Sequence, residues 1–566
     1  MRKMKMCKCI WLMSIVALGG SLAFGGDSWV ALDSVPYVEP GSAADCSSWV
    51  RLEAPAGKYG YAKAVGNGFE FERRPGVRQR FLGACVIGDA VVPTNDAASA
   101  AFAAMIPRLG WNAVRIHQHE MSLVGPDGYS LAPDKMRRFD RFFADLIAQG
   151  VYITTDLYVT RKVPGRTLQE FKESILFDEN SFSNYLGWAK SFMLHRNTFT
   201  GRTYAEEPAL FSIALINEGN VGNEFRPDRP DGWERVAAEA ERRFVRRMRT
   251  ILRDELGCRA LISDFSGWTF KPEYEPVIRD EYDYYDFHGY NDHPIYVGKK
   301  FTLPSRMRAR PLSAYFGILD KSEMRRRLLP RKPSMMTEWS WSAPGHYRYA
   351  GGLVQAVYMA RRGVDGLFHY AWGSFASAGD PFGVPTVRAR PISYWDMSRD
   401  PLALASERAV SALYLRGDLT SDSTFTNDVQ RDSFAVTTPA TVGRADAAYA
   451  LWQTSCDGRP LAETGRILVT HLTDLVNTGM KMEDWEGKPT LLTKWGTLPY
   501  LLRRHVVQVD LKVRPGSWHV YRLETTGRRR NEVGCRYADG VLRFMADNGA
   551  DPANATILYE AVDAGL

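Results

Sequence analysis

Two glutamates stand out in this 566-residue chain for the setting in which they occur. The apolar run "FSIALIN" (211–217) passes through Asn217 straight into Glu218, and "PSMMTEW" (333–339) carries Glu338 next to its end. A carboxylate withdrawn from water is costly unless partners hold it, so two such residues at the ends of apolar strands call for a reason. Two carboxyl groups facing each other across a pocket can hydrolyse a glycosidic bond. One protonates the leaving oxygen; the other attacks the anomeric carbon or activates water. Aromatic faces suit sugars because they cover the apolar C–H patches of pyranose rings, and Trp268, Trp339, Trp341 and Trp372 lie near further strand ends.

Positioning these residues requires a particular scaffold. From residue 81 to 400, short apolar runs alternate with longer amphipathic ones. Eight runs predict strands: 81–87, 112–117, 151–158, 211–217, 259–265, 284–290, 333–339 and 364–372. Helical patterns such as 97–110, 135–150 and 232–257 lie between them, and Gly110, Gly150, Gly257 and Gly363 fall where C-terminal caps belong. Eight strand-helix units predict an α/β fold, a (β/α)8 TIM barrel. An open doubly wound sheet would normally carry a Gly-rich phosphate turn after its first strand, and "CVIGDAVVPTND" has no GxGxxG. In a barrel the working residues sit at the C-terminal strand ends. Those ends offer Arg115, His117 and His119 on strand two, Asp156 and Tyr158 on three, and Asn217 and Glu218 on four. Asp264 with Trp268 follows on five, His288, Tyr290 and Asn291 on six, Glu338, Trp339 and Trp341 on seven, and His369 and Trp372 on eight. Strands four and seven lie nearly opposite, so Glu218 and Glu338 can face each other across the mouth.

Asn-Glu ending strand four and Glu ending strand seven resemble clan A of the glycoside hydrolases, retaining (β/α)8 enzymes, and in particular the cellulase-like family 5. The resemblance covers roughly residues 81–400. It implies Glu218 as acid/base, Glu338 as nucleophile and Asn217 as ligand of the substrate's 2-hydroxyl. Arg115 matches the family's strand-two arginine near the nucleophile, and His288 and Tyr290 in "FHGY" match its strand-six pair, with the tyrosine hydrogen-bonded to the nucleophile. Trp372 matches the strand-eight tryptophan that floors the subsite of the scissile sugar. His117, Trp268 and Trp339 complete the expected substrate-binding set. The implied reaction is retaining cleavage of β-glycosidic bonds in an oligo- or polysaccharide, without cofactor or metal. Gly219 departs from the pattern, since many family 5 enzymes carry Pro there, and it leaves the subfamily open.

Two other readings use the same residues. "HQH" at 117–119 superficially resembles the His-x-His metal pair of barrel amidohydrolases, which would make the chain a metal-dependent hydrolase using His117 and His119. That pair belongs on the first strand, with further His on strands five and six, and strand five here offers Asp264 instead. A non-catalytic carbohydrate-binding relative is the third reading; retention of both glutamates argues against it.

The remaining chain divides by texture. Residues 1–26 read as a signal peptide: Arg2, Lys3, Lys5 and Lys8 precede an apolar run from Cys9 to Phe24. This predicts a secreted or periplasmic protein with no membrane span after cleavage. Losing these four basic residues takes the formal net charge from +7 to +3, too little to argue for nucleic acid. Residues 27–80 are Pro/Gly-rich and predict a segment packing on the barrel or on a C-terminal domain; the barrel itself is expected over 81–415. Residues 416–566, with runs such as "RILVTHL" and "HVVQVDLKV", predict a β-sandwich. The five cysteines beyond the signal are scattered and show neither a disulfide framework nor CxxC spacing. Basic residues in "RKVPGR" (161–166) and "HYRYA" (346–350) suit solvated loops better than an anionic-glycan site.

Overall fold

The computed structural model describes residues 28–50, 53–219, 232–263, 280–308, 310–314, 332–373, 389–485, 488–551 and 553–565. The expected signal peptide and Trp268 lie outside the described residues. Eight parallel strands run in chain order around a barrel: Phe81–Ile87, Ala113–His117, Tyr152–Asp156, Leu210–Ala214, Leu261–Ser263, Tyr285–Tyr290, Ser334–Ser340 and Gly366–Trp372. A parallel bridge between Ser263 and Tyr284 joins the fifth strand to the start of the sixth, so the barrel closes. Most strand residues are buried on both faces, which is why these segments read as apolar runs rather than alternating ones. Gly110, Gly150, Gly257 and Gly363 all adopt left-handed backbone angles at helix ends, as capping requires. Among the described residues, no helix is long and apolar enough to cross a membrane.

The segment before the barrel contacts both the C-terminal region and the barrel. Trp29–Leu32 pairs antiparallel with Thr497–Arg503 in the C-terminal region. Ala62–Val65, Gly68–Phe71 and Arg74–Gln79 form a small meander whose Phe69 and Phe71 seal the barrel's N-terminal end against Phe81, Tyr152 and Tyr284.

Beyond residue 416 the chain forms antiparallel sheets. An eight-stranded sheet packs one face on a three-stranded sheet of Val506–Lys512, Cys535–Ala538 and Val541–Asp547, with Leu451, Val469, Val520 and Tyr559 meeting Val507, Val509 and Phe544 between them. This is a β-sandwich. The other face of the large sheet lies on barrel helices: the α-carbon of Gly443 sits so close to Leu353, in the helix Gly351–Arg362, that a β-carbon there would reach 2.8 Å from a Leu353 methyl. One connection has no signature in the sequence. Ile295–Tyr296 and Ser305–Arg306, in the loop after the sixth barrel strand, continue through Lys488–Lys494 into Lys481–Trp485, so one four-stranded sheet spans both domains.

Candidate active site

Arg115, at the centre of the barrel's C-terminal end, organises the site. Its side chain is 1% exposed. One terminal nitrogen donates to Glu338 Oε1 at 2.8 Å and to the Thr337 carbonyl at 3.2 Å; the other donates to Asp156 Oδ1 at 2.7 Å and Asn217 Oδ1 at 2.8 Å. A guanidinium presents several donors in a rigid fork, so one buried cation fixes three strands at once. Burial alone would lower its pKa, but Asp156 and Glu338 outweigh that and hold Arg115 above its ordinary value. The Asp156 carboxyl is raised by burial, yet Arg115 and His117 pull it well below the usual carboxylate range. His117 Nδ1 lies 2.7 Å from Asp156 Oδ2, leaving Nε2 3.4 Å from Glu338 Oε1.

Glu338 is 6% exposed, and Tyr290 donates its phenol to Oε2 at 2.6 Å. Burial and the Glu338 charge push the Tyr290 pKa well up, so the phenol keeps the proton it donates. His288 bridges the two glutamates: Nδ1 is 2.9 Å from Glu218 Oε1 and 3.5 Å from Glu338 Oε2. Its Nε2 is 3.2 Å from Thr337 Oγ1, whose hydroxyl donates to Asp286. Burial disfavours the imidazolium, but Glu338 and Glu218 together raise His288 above the ordinary histidine value. Partial withdrawal from water raises Glu218, but the hydrogen bond and charge of His288, with Lys172 and His117, prevail and lower it to about 2. The two shifts favour the shared proton on His288 over Glu218.

Glu218 is set differently from Glu338. The fourth strand ends at Ala214, short of the expected 217, and the chain turns so that Glu218 takes φ +45°. That left-handed backbone is rare for a residue with a side chain and costs about 1–3 kcal/mol. The turn is held by its neighbours: Asn217 donates its amide to the Tyr158 carbonyl at 2.9 Å, and Tyr185 donates to the Leu215 carbonyl at 2.9 Å. Lys172, 4% exposed in the helix Leu168–Phe177, donates to the Asn217 carbonyl at 2.5 Å. The Glu218 side chain emerges 44% exposed. Gly219 is explained by this turn, because a β-carbon there would lie 2.3 Å from Ile216 Cγ2. A proline has no room.

Arg115, His117, Asn217, Glu218, His288, Tyr290 and Glu338 thus converge. Two expected residues do not. Trp339 is buried outside the barrel wall, stacked on His369 at 4.1 Å, and Trp372 is buried against Phe102 and Trp111. Both are displaced by irregularities in strand pairing. Between the sixth and seventh strands Phe287 pairs with Met336 and His288 with Glu338, so Thr337 is an extra residue. Between the eighth and first strands Tyr370 pairs with Cys85 and Trp372 with Val86, so Ala371 is extra. One inserted residue inverts the alternation beyond it. The first bulge turns Glu338 inward and Trp339 outward; the second leaves Tyr370 facing the site and sends Trp372 to the helices. Trp341 also packs outside, with its ring against Gly351.

His119 faces away from His117, among Phe139, Trp188 and Phe192, so the two imidazoles do not converge on one metal. Arg161 and Arg348 are buried and structural, binding Gly128 and Asn184 in one case and Asp400 in the other. Neither lines an anionic site. Sequence reasoning missed Lys172, Tyr370 and Gln118. Gln118 has φ +57° and donates to the Tyr370 hydroxyl at 3.3 Å. A buried lysine inside a helical pattern carries no sequence signal; "FHYAW" did offer Tyr370, two residues before the tryptophan.

No family model and no curated protein matches the sequence. Solved structures similar to this chain include the endo-β-1,4-mannanase of Thermotoga petrophila, with TM-score 0.44 and 13% identity over 77% of this chain and 95% of that one. The glycoside hydrolase family 5 mannosidase of Rhizomucor miehei gives 0.44 and 14% over 64% and 99%. A β-glucanase of Saccharophagus degradans gives 0.39 and 15% over 65% and 96%. Residue roles rest on the geometry above.

Proposed function

We propose that the chain is a retaining glycoside hydrolase acting on β-glycosidic bonds of an oligo- or polysaccharide, with Glu338 as nucleophile and Glu218 as acid/base. One observation carries the reading: an oxygen of Glu218 and an oxygen of Glu338 lie within 4.8 Å of each other. Retaining enzymes hold their carboxyl groups about 5–5.5 Å apart, whereas inversion needs about 6.5–9.5 Å to admit a water.

The two settings suit the two roles. Glu338 is sheltered, and hydrogen bonds from Arg115 and Tyr290 hold its two oxygens in place. It attacks the anomeric carbon as the bond to the leaving oxygen breaks, and that oxygen takes the proton of the Glu218–His288 pair. Water then attacks the same carbon, gives its proton to the pair, and releases the Glu338 carboxylate. Each half-reaction inverts the carbon, so the β configuration is restored. Loss of charge on Glu338 in the covalent intermediate removes the largest influence raising His288, which returns the pair to a state able to accept the water's proton.

The reading is tested by incubating the protein with activated 2-deoxy-2-fluoro-β-glycosides of several sugars and mapping the adduct by mass spectrometry. A single sugar bound to the peptide containing Glu338 is expected. Labelling elsewhere, or turnover of aryl β-glycosides undiminished in Glu338→Ala, contradicts it. We further propose export through the 1–26 segment; a mature chain beginning near residue 27 in the medium or periplasm is the expected result.

A further inference from the structure

Beyond the charged centre, a series of aromatic rings in contact leads from Tyr290 to an exposed loop. Tyr290, which holds Glu338, lies 6.1 Å from Tyr370, and Tyr370 lies 6.2 Å from Trp395. Trp395 lies 6.1 Å from Phe301, whose side chain is 53% exposed and whose backbone is held at φ +65°. A left-handed phenylalanine exposed on a loop is unfavourable twice over, in backbone strain and in hydrated apolar surface. Ile295 and Val297 on the same loop are also exposed.

Both loops that carry this wall are fastened by the C-terminal domain. The loop 389–396 bearing Trp395 is gripped by Asn477, which is 1% exposed. Asn477 Oδ1 accepts from the Ile392 amide at 2.8 Å, and its Nδ2 donates to the Ile392 carbonyl at 3.1 Å and the Trp495 carbonyl at 2.8 Å. Tyr500 adds a bond to the Arg390 carbonyl at 2.6 Å. The loop bearing Phe301 is paired into the inter-domain sheet through Ser305 and Arg306 with Leu492 and Leu491. Tyr394 ties the two loops together by donating to Ser305 Oγ at 2.7 Å.

We propose that Trp395 and Phe301 form an outer sugar-binding subsite continuous with the catalytic pocket, and that the C-terminal domain holds that subsite in place. The occupant is a further pyranose unit of the same β-linked chain, whose C–H face stacks on the rings. Continuity commits the wall to this occupant: the ring series begins at the tyrosine that binds Glu338. This inference rests on the glycosidase reading. It assigns the sandwich a part in building the cleft, with Asn477 as a positioning residue.

The test uses the full chain carrying Glu338→Gln and calorimetric titration with β-1,4-linked gluco- and manno-oligosaccharides of two to six units. Affinity is expected to rise with length for one series. Phe301→Ala is expected to lower hexasaccharide affinity about tenfold more than disaccharide affinity, a difference of about 1.4 kcal/mol. Asn477→Ala should reproduce that length-selective loss, whereas a merely damaged fold weakens every length alike. Equal losses at all lengths, or none, overturn the subsite. Absence of turnover by the unmutated chain on any β-glycoside would instead sink the glycosidase reading, and length-dependent binding would still decide the wall.

Discussion

The floor and the wall of this cleft are built on opposite principles. At the floor, Arg115, Asp156, His117, Glu338, Tyr290 and His288 are nearly all buried and each is held by charged or hydrogen-bonded neighbours. Along the wall, Trp395 and Phe301 meet mostly rings, and their loops are held through backbone groups by a separate domain. Chemistry needs charges fixed to a fraction of an ångström, which rigid strand ends supply. Recognition of a sugar face needs area and a defined orientation, which loops supply once something anchors them. Removing a floor residue should therefore slow turnover on every substrate, most of all at Glu338, and removing a wall residue should reshape specificity.

The largest expected effect belongs to Glu338, the proposed nucleophile. Glu338→Ala should lower kcat/KM about 10^4-fold or more on every substrate. Glu218→Ala should cost about 10^2–10^4-fold on natural leaving groups and far less on dinitrophenyl glycosides, whose leaving oxygen needs no proton. Steady-state kinetics on the two substrate classes separates the residues, and equal leaving-group dependence would erase the distinction between them. Trp372→Ala, by contrast, should destabilise the protein by about 3–5 kcal/mol in urea unfolding while kcat/KM of the folded protein changes only a few-fold. A selective loss of substrate binding without loss of stability would return Trp372 to the pocket. The smallest effect concerns pH. His288, raised above its ordinary value, keeps the pair's proton past a pH of about 6.5, so the alkaline fall of kcat/KM should lie above that point. In His288→Asn the proton must stay on Glu218 alone, and the alkaline limb should move to lower pH. An unmoved limb in the pH profile would assign it to another group.

Much of this site was legible in the sequence because strand-end chemistry and apolar strands are local features. All eight barrel strands fall within a few residues of the runs that predict them, and Arg115, Asn217, Glu218, His288, Tyr290 and Glu338 converge. Trp339 and Trp372 were misplaced for one shared reason. Which face of a strand a residue occupies depends on counting by twos, and a single bulge, at Thr337 or at Ala371, reverses the count without altering the hydrophobic run. The wall was illegible for a different reason. Asn477 and Ile392, or Leu492 and Ser305, meet only because the two domains dock, and nothing in either segment's composition encodes that partner. Lys172 belongs with these, since its role depends on a turn formed elsewhere in the chain.

The central claim, that Glu218 and Glu338 are placed for double displacement, is tested most directly by the anomeric configuration of the first product. Proton NMR during rapid hydrolysis of a β-glycoside should show the β anomer appearing first, with the α anomer growing in only by mutarotation. Initial release of the α anomer would contradict the account.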